Sequence, residues 1–478
     1  MRQFSSFFLI FLYILIFKNK RRRFYLLGKP PFCYYKDSIF LRKNAQNTRK
    51  NEKNQLENFK SYLDQNFDSE LLDKMARETG FVKRSSQIDA FNFLTCLMFN
   101  EQEQKDTSLL NMKLDFLEQH DCDISKVAIH KRFNTNAVEF MKAILSHHMA
   151  HKFEPDSELT TKFNSISIKD SSKFRIPEAL SENYPSYKGI GKNQALMNLQ
   201  YEYDISTGDW KRFDITKATR NDQEDSKTTL DNIKENDLLL RDLGYVTMTY
   251  LKGVIENNAY YVNRLPTPVN VYLKNEDKIK QLDWNIVEKK MRQRGVEQME
   301  LDVFLGKKQM LPTRLIIQTV PEKVYQERIR KVSKHAKSKG VQVSNEYKIK
   351  SRYNLFITNT SQEQLSAEEI EKVYRLRWQI ELVFKTWKSH VKIHRTKKVK
   401  KERFECHLIA KIIWILLNWK LFQIANFMIR SKNIENGCSI MKFFKQAVKF
   451  TSSLRTLVLN DGDVNNWINY YFKPLVPH

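Results

Sequence analysis

Apolar residues recur at helical spacing over residues 59–72, 88–99 and 137–149, with short polar turns between them, and predict a helical region spanning residues 51–155. Within it, residues 125–133 (SKVAIHKRF) read as the second helix of a helix-turn-helix, with Ser125 as N-cap and His130, Lys131 and Arg132 facing outward. An ordinary bundle helix is the competing reading. From about residue 163 the period changes to two. Residues 163–169 predict a strand ending at Asp170, and residues 195–203 pair with 210–216 across the turn Ser206-Thr207-Gly208-Asp209. Residues 225–233 then predict a helix, and 238–240 a short buried strand running into Asp242. Residues 246–256 predict another helix and 259–265 a fifth strand.

Three antiparallel strands followed by helix, strand, helix and strand give the order of a ribonuclease-H-like α/β fold, assigned to residues 160–265 and 359–430. Residues 266–358 interrupt it and are too long and regular for a loop. Strand-like pieces at 269–273, 300–304, 313–318 and 353–357 predict a β-rich insertion, which also carries the basic stretch Arg328, Arg330, Lys331, Lys334, Lys337 and Lys339. Residues 403–428 are strongly apolar and helical in pattern, suited to closing the core, and 431–478 form a C-terminal helical region.

Between these lies the most informative segment. Ser366 and Glu369 fit a capping box, opening a helix predicted over 367–390. Val373, Leu376, Ile380, Val383, Phe384 and Trp387 form its apolar face. Tyr374, Arg377, Glu381 and Lys388, at offsets of three, seven and fourteen, fall in a stripe roughly 60° wide. Taken alone, Arg377 and Glu381 are an ordinary i, i+4 pair.

Charge narrows the partner. With 81 Lys+Arg against 55 Asp+Glu the net charge is +26 over 478 residues, spread over several segments, which favours a polyanion. The 41% hydrophobic and 12% aromatic content suits a large folded core and excludes a disordered basic arm. Cys33, Cys96, Cys122, Cys406 and Cys438 are scattered without a CxxC pair, which suggests neither a disulfide framework nor zinc, and fits a reducing cytoplasm. Residues 1–50 read as an apolar and basic extension. Its apolar run at 4–17, followed by Lys18, Lys20, Arg21, Arg22 and Arg23, is short for a membrane span. An over-long start is preferred there to an anchor, so a membrane partner is not expected.

Phosphodiester chemistry on DNA uses two divalent ions held by hard oxygen ligands. The predicted fold offers Asp170 after the first strand, Asp242 after the fourth and Glu381 on the later helix. The first and fourth strands are neighbours in such a sheet, which makes the two aspartates converge. Singly, each aspartate also reads as a turn former or helix cap.

Residues 374–388, YRLRWQIELVFKTWK, carry the signature Y-x2-R-x3-E-x6-K without departure, and Asp242-Leu243-Gly244-Tyr245 and Asp170-Ser171-Ser172 match two aspartate motifs. Over residues 70–430 the chain resembles the cut-and-paste DDE transposases of bacterial insertion sequences. The resemblance implies that Asp170, Asp242 and Glu381 bind two Mg²⁺ ions, with Mn²⁺ able to replace them. It implies that Tyr374, Arg377 and Lys388, with Lys385 beside them, grip phosphates, and that Tyr353, at the end of the insertion, stacks on a flipped base. Double-stranded DNA, as terminal inverted repeats and as target, is the implied partner of a homodimer in a synaptic complex, acting in the cytoplasm at the nucleoid. His130 and Arg132 are the candidate DNA contacts of the helical region. A decayed, non-catalytic DNA-binding relic, a membrane-associated protein led by the apolar N-terminus, and a nuclease on the same fold are the rival readings.

Overall fold

A computed structural model describes residues 45–473 apart from 85–86, 101, 104–106, 152–161, 188–193, 276–277, 396, 432–437 and 461. The apolar run at 4–17 lies outside these. The described chain divides into two compact units, one spanning Arg264–Ile370 and the other made of the residues before and after it.

The larger unit begins with six helices: α1 (Ala45–Asn66), α2 (Ser69–Glu78), α3 (Ala90–Asn100), α4 (Leu109–His120), α5 (Lys126–Arg132) and α6 (Thr135–Ala150). The single helix read over 59–72 is two. Asp68 accepts a hydrogen bond from the Leu71 amide at 2.8 Å and so starts a new helix in the middle of the apolar pattern. Helix α4 escaped the periodicity because Leu110, Leu114 and Leu117 are exposed, which blurs its buried stripe. Ser125 caps α5 as expected, through the Ala128 amide. Arg132 corrects the outward reading. Its guanidinium stacks over Phe81 at 5.6 Å and reaches the Ile88 carbonyl, whereas His130 is exposed.

The sheet of this unit contains β1 (Ser165–Ile176), β2 (Ala195–Asp204), β3 (Trp210–Lys217), then helix α7 (Asp222–Lys227), β4 (Asp237–Arg241), α8 (Met248–Glu256) and β5 (Tyr260–Arg264). Its order is β3-β2-β1-β4-β5, with β1, β2 and β3 antiparallel and β4 and β5 parallel to β1. This is the ribonuclease-H-like order the pattern predicted. The helix read over 225–233 is instead α7 plus a separate 3₁₀ turn at Leu230–Asn232.

The inserted unit contains β6 (Val271–Asn275), β7 (Lys278–Gln281), α9 (Trp284–Arg294), β8 (Gln298–Leu305), β9 (Leu311–Thr319), α10 (Glu322–Ser338), α11 (Asn345–Lys350) and β10 (Tyr353–Thr358). Its strands run β10-β9-β8-β6-β7, every neighbour antiparallel. The basic stretch lies on α10, apart from Lys339, which caps its C-terminal end. Arg328 turns back from that helix to the carbonyls of Ser351 (3.1 Å) and Tyr353 (2.9 Å), so part of the stretch secures β10.

After β10 come α12 (Ala367–Arg375), which begins in the inserted unit, then α13 (Trp378–Thr386), the 31-residue α14 (Lys401–Ser431), α15 (Ile440–Lys449), α16 (Thr451–Leu459) and α17 (Val464–Phe472). Helix α14 is long and apolar enough to cross a membrane, yet 94% of its apolar window is buried inside the protein, where it packs on α1, α3 and α6. Polar ties fix it to the β2–β3 turn: Trp419 Nε1 donates to the Gly208 carbonyl at 2.7 Å, and Lys420 pairs with Asp209 at 3.0 Å.

Candidate active site

The register of two strands brings the aspartates together. Strand β4 pairs with β1 only as far as Lys169 opposite Arg241, and there it ends. Asp170 is therefore the first residue of β1 past its parallel neighbour, and Asp242 the first residue past β4. The expected strand end at Asp170 is corrected by this. Strand β1 continues to Ile176 on its other edge, against β2, and Asp170 sits inside it where the parallel edge opens. Openings at the carboxyl ends of parallel strands are where α/β folds place ligands.

Glu381 arrives on α13, and that helix is seated by aromatic packing. Trp387 lies 5.0 Å from Tyr201, 5.4 Å from Trp210 and 5.6 Å from Phe384, ring centre to ring centre. The one straight helix predicted over 367–390 is not what forms. The capping box is present, with Ser366 N donating to Glu369 at 2.8 Å and Glu369 N to Ser366 at 3.3 Å. At Leu376 and Arg377 the chain tightens to i→i+3 hydrogen bonds, including Arg377 N to the Tyr374 carbonyl at 3.1 Å. Side chains three apart eclipse in such a turn, so Arg377 lies over the Tyr374 ring at 5.8 Å. After Thr386 the helix widens into a π turn, Trp387–Val391, which carries Lys388.

One guanidinium reaches all three carboxylates. Arg377 Nη2 donates to Glu381 at 2.7 Å, and Nη1 lies 3.8 Å from Asp170 and 3.8 Å from Asp242. Arg377 is held charged: burial opposes this, while Tyr374, Asp242 and Glu381 raise its pKa. Lys388 Nζ meets the Lys173 carbonyl at 3.4 Å, on the strand that carries Asp170. Tyr374 is buried and Lys385 exposed. Glu381 is raised above the usual carboxylate range, by burial first, against the pull of Arg377.

Asp170 is raised furthest, to about 7. Burial is the main cause, and Asp242 and Glu381 add to it against the Ser171 amide and Arg377. Because this folded-state value lies above the ordinary 3.8, the folded protein keeps a proton that the unfolded chain releases. The contribution of Asp170 to metal-free stability should then fall as pH rises from about 4 to about 7, and level off above that. Asp170→Asn removes the titrating group. In chelator it should be about 2–4 kcal/mol more stable than the wild type at pH 8 and little different near pH 4. An equal difference at both pH values in chemical denaturation would assign the titration elsewhere.

Three hard carboxylates sharing one cation are a donor set suited to Mg²⁺ or Mn²⁺. Among the described residues no three acidic, His or Cys side chains close tightly enough around a point to hold a metal ion as they stand. The Arg377 guanidinium lies among Asp170, Asp242 and Glu381 and supplies positive charge there.

Tyr353 belongs to the inserted unit. It is buried and lines a recess of about 280 Å³ together with Tyr325, Arg352, Met291 and Val296. The Arg352 guanidinium stacks on the Tyr325 ring at 4.0 Å.

Behind the aspartates is a buried ionic layer the sequence did not reveal. Arg241, 1% exposed, pairs with Glu202 at 2.7 Å and donates to the Ser167 carbonyl at 3.1 Å, and Lys169 pairs with Asp225. Burial alone would raise Glu202, but Arg241 and Lys169 hold it down at about 2.

Residues 161–417, more than half of the chain, match the family described as Transposase DDE domain. The transposase for insertion sequence element IS231B of Bacillus thuringiensis subsp. berliner is 30% identical over 380 residues, 76% of this chain and 79% of that protein. The chain belongs to the DDE transposase family. The transposase is also similar to that of IS231F from Bacillus thuringiensis subsp. israelensis, at 29% over 398 residues (80% of this chain, 83% of the relative). The transposase of IS1151 from Clostridium perfringens is 29% identical over 418 residues, 82% of this chain and 86% of its own. Among solved structures, a piggyBac transposase synaptic complex with hairpin DNA is similar at a TM-score of 0.39 and 10% identity, covering 87% of this chain and 85% of that one, a score that carries no functional argument. Its relatives make this chain an insertion-sequence DNA transposase.

Proposed function

We propose that Asp170, Asp242 and Glu381 are the catalytic carboxylates of this transposase and would hold two Mg²⁺ ions, or Mn²⁺ in their place. The observation that supports this most is the single Arg377 guanidinium within 3.8 Å of all three carboxylates. Bound there, the ions supply an activated water and neutralise charge building on the leaving oxygen. The protein's own part is positioning. Asp170 and Asp242 are fixed by strand register, and Glu381 by the aromatic seat of α13.

Arg377, turning from the carboxylates, and Lys388 hold phosphates beside the cut, with Tyr374 as the platform under Arg377 and the exposed Lys385 on the same helix. Water attacks the phosphorus at the element's end and the 3′ oxygen leaves as a hydroxyl, which then attacks a second phosphodiester in the opposite strand or in target DNA and expels that phosphodiester's own 3′ oxygen, so that one P–O bond forms as one breaks in each step. Double-stranded terminal repeats and target DNA are the partners, engaged by a homodimer in a synaptic complex. In the helical region, exposed His130 is the contact favoured for DNA, and Arg132 serves the bundle first. Tyr353 and the Tyr325–Arg352 stack give the inserted unit a recess suited to an unstacked base.

The test uses the full chain, Mg²⁺ and linear DNA carrying the repeats that flank its own gene, with a circular target. Nicks at the repeat boundary followed by joined products are the expected result. Cleavage without joining would favour a nuclease, and binding without cleavage would contradict the catalytic reading.

A further inference from the structure

We propose that Asp222, acting through Ser171 and Gln200, is a positioning residue that sets Asp170 and Asp242 side by side. This inference rests on the catalytic reading of those two aspartates.

Successive strand residues point to opposite faces, so Lys169 and Ser171 share the face of β1 that Asp170 does not occupy. Helix α7 meets both. Asp225 pairs with Lys169, and Asp222, three residues earlier, accepts the Ser171 hydroxyl at 2.9 Å. The two residues flanking Asp170 are thus held by two carboxylates of one short helix. Ser171 also gives its backbone amide to Asp170 Oδ1 at 2.7 Å, so any shift of Ser171 moves the Asp170 carboxylate.

Asp222 is tied as closely to the second aspartate. Gln200, fully buried and opposite Ser171 in the β1–β2 register, donates to Asp222 Oδ1 at 3.3 Å and accepts the Tyr245 hydroxyl at 2.6 Å. Tyr245 closes the turn that begins at Asp242. Between them stands Gly244. A Cβ added there would lie 3.1 Å from Asp222 Oδ2 and 3.5 Å from its Cβ, so glycine lets the turn approach this carboxylate. A continuous path runs from Asp170 through Ser171, Asp222, Gln200 and Tyr245 to the turn of Asp242. It gives Ser171, Gly244 and Tyr245, all motif positions, one shared physical purpose.

The test measures Mn²⁺ affinity of the full chain from the loss of the free-ion paramagnetic resonance signal, beside nicking, DNA binding and thermal midpoint. Asp222→Ala should weaken Mn²⁺ binding and nicking together by about 10–100-fold, as loss of outer-shell support does, with DNA affinity unchanged. Asp222→Asn keeps an oxygen that accepts from Ser171 and Gln200 and should recover most of that loss. Tyr245→Phe, which removes one hydroxyl from a folded core, should reproduce part of it should the alanine variant not fold. Wild-type Mn²⁺ affinity in Asp222→Ala or in Tyr245→Phe, or an Asn variant as impaired as the alanine, would overturn the positioning role. Equal Mn²⁺ binding in the wild type and Glu381→Gln would overturn the catalytic reading beneath it.

Discussion

Glu381→Gln is expected to slow cleavage at the element end by about 10³-fold or more while leaving DNA affinity within a few-fold of the wild type. The substitution is close to isosteric. Glu381 Oε1 accepts from Arg377 Nη2 at 2.7 Å, and a glutamine oxygen accepts the same bond, so the helix and the arginine should stay where they are. What disappears is one of the three negative charges around Arg377. Single-turnover nicking of labelled repeat DNA, beside a gel-shift titration, measures both quantities. Retention of more than about a tenth of the rate would remove Glu381 from the catalytic group.

Arg241→Ala should have the largest effect on stability, a loss of about 3–5 kcal/mol, because it leaves Glu202 as a buried charge without its main partner. Arg241 is 1% exposed and Glu202 8%, so the pair lies inside the protein. Replacing both residues with apolar side chains of similar size, Arg241→Met with Glu202→Leu, should be far milder than the single change. Denaturation midpoints in urea separate the cases. The sign of the pH effect is fixed as well. Glu202 is depressed to about 2 from an ordinary 4.5, so its contribution is present above about pH 4.5 and is lost as pH falls towards 2. An alanine variant as stable as the wild type would show that Lys169 alone carries Glu202.

The elements that period and punctuation mark strongly were legible. The alternation in β2 and β3, the apolar run of β4 and the capping box at Ser366 each formed where the pattern put them, and they placed Asp170, Asp242 and Glu381 at one opening of the sheet. The break at Leu376 and Arg377 was not legible, because YRLRWQIE keeps a perfect helical period through the tightened turn. The length of β1 was misread since Ser171 and Ser172 look like a polar stop, whereas the antiparallel edge with β2 carries the strand on. Helices α9 and α10 were hidden by their charge, which leaves too thin an apolar stripe to detect. Lys169, Glu202, Asp222, Asp225 and Arg241 carried no signal of their own. Charged residues on a strand or a short polar helix read as exposed, and only the packing of β1 against β2, β4 and α7 turns these inward as partners.

The central claim, that these three carboxylates are the metal-binding catalytic centre, is tested most directly by crystals of the transposase soaked in Mn²⁺, with anomalous scattering measured at the manganese edge. Peaks are expected within coordination distance of Asp170, Asp242 and Glu381, with the Arg377 guanidinium moved off them, and should vanish in Glu381→Gln crystals. Manganese bound elsewhere, with Arg377 still bridging the three carboxylates, would contradict the account.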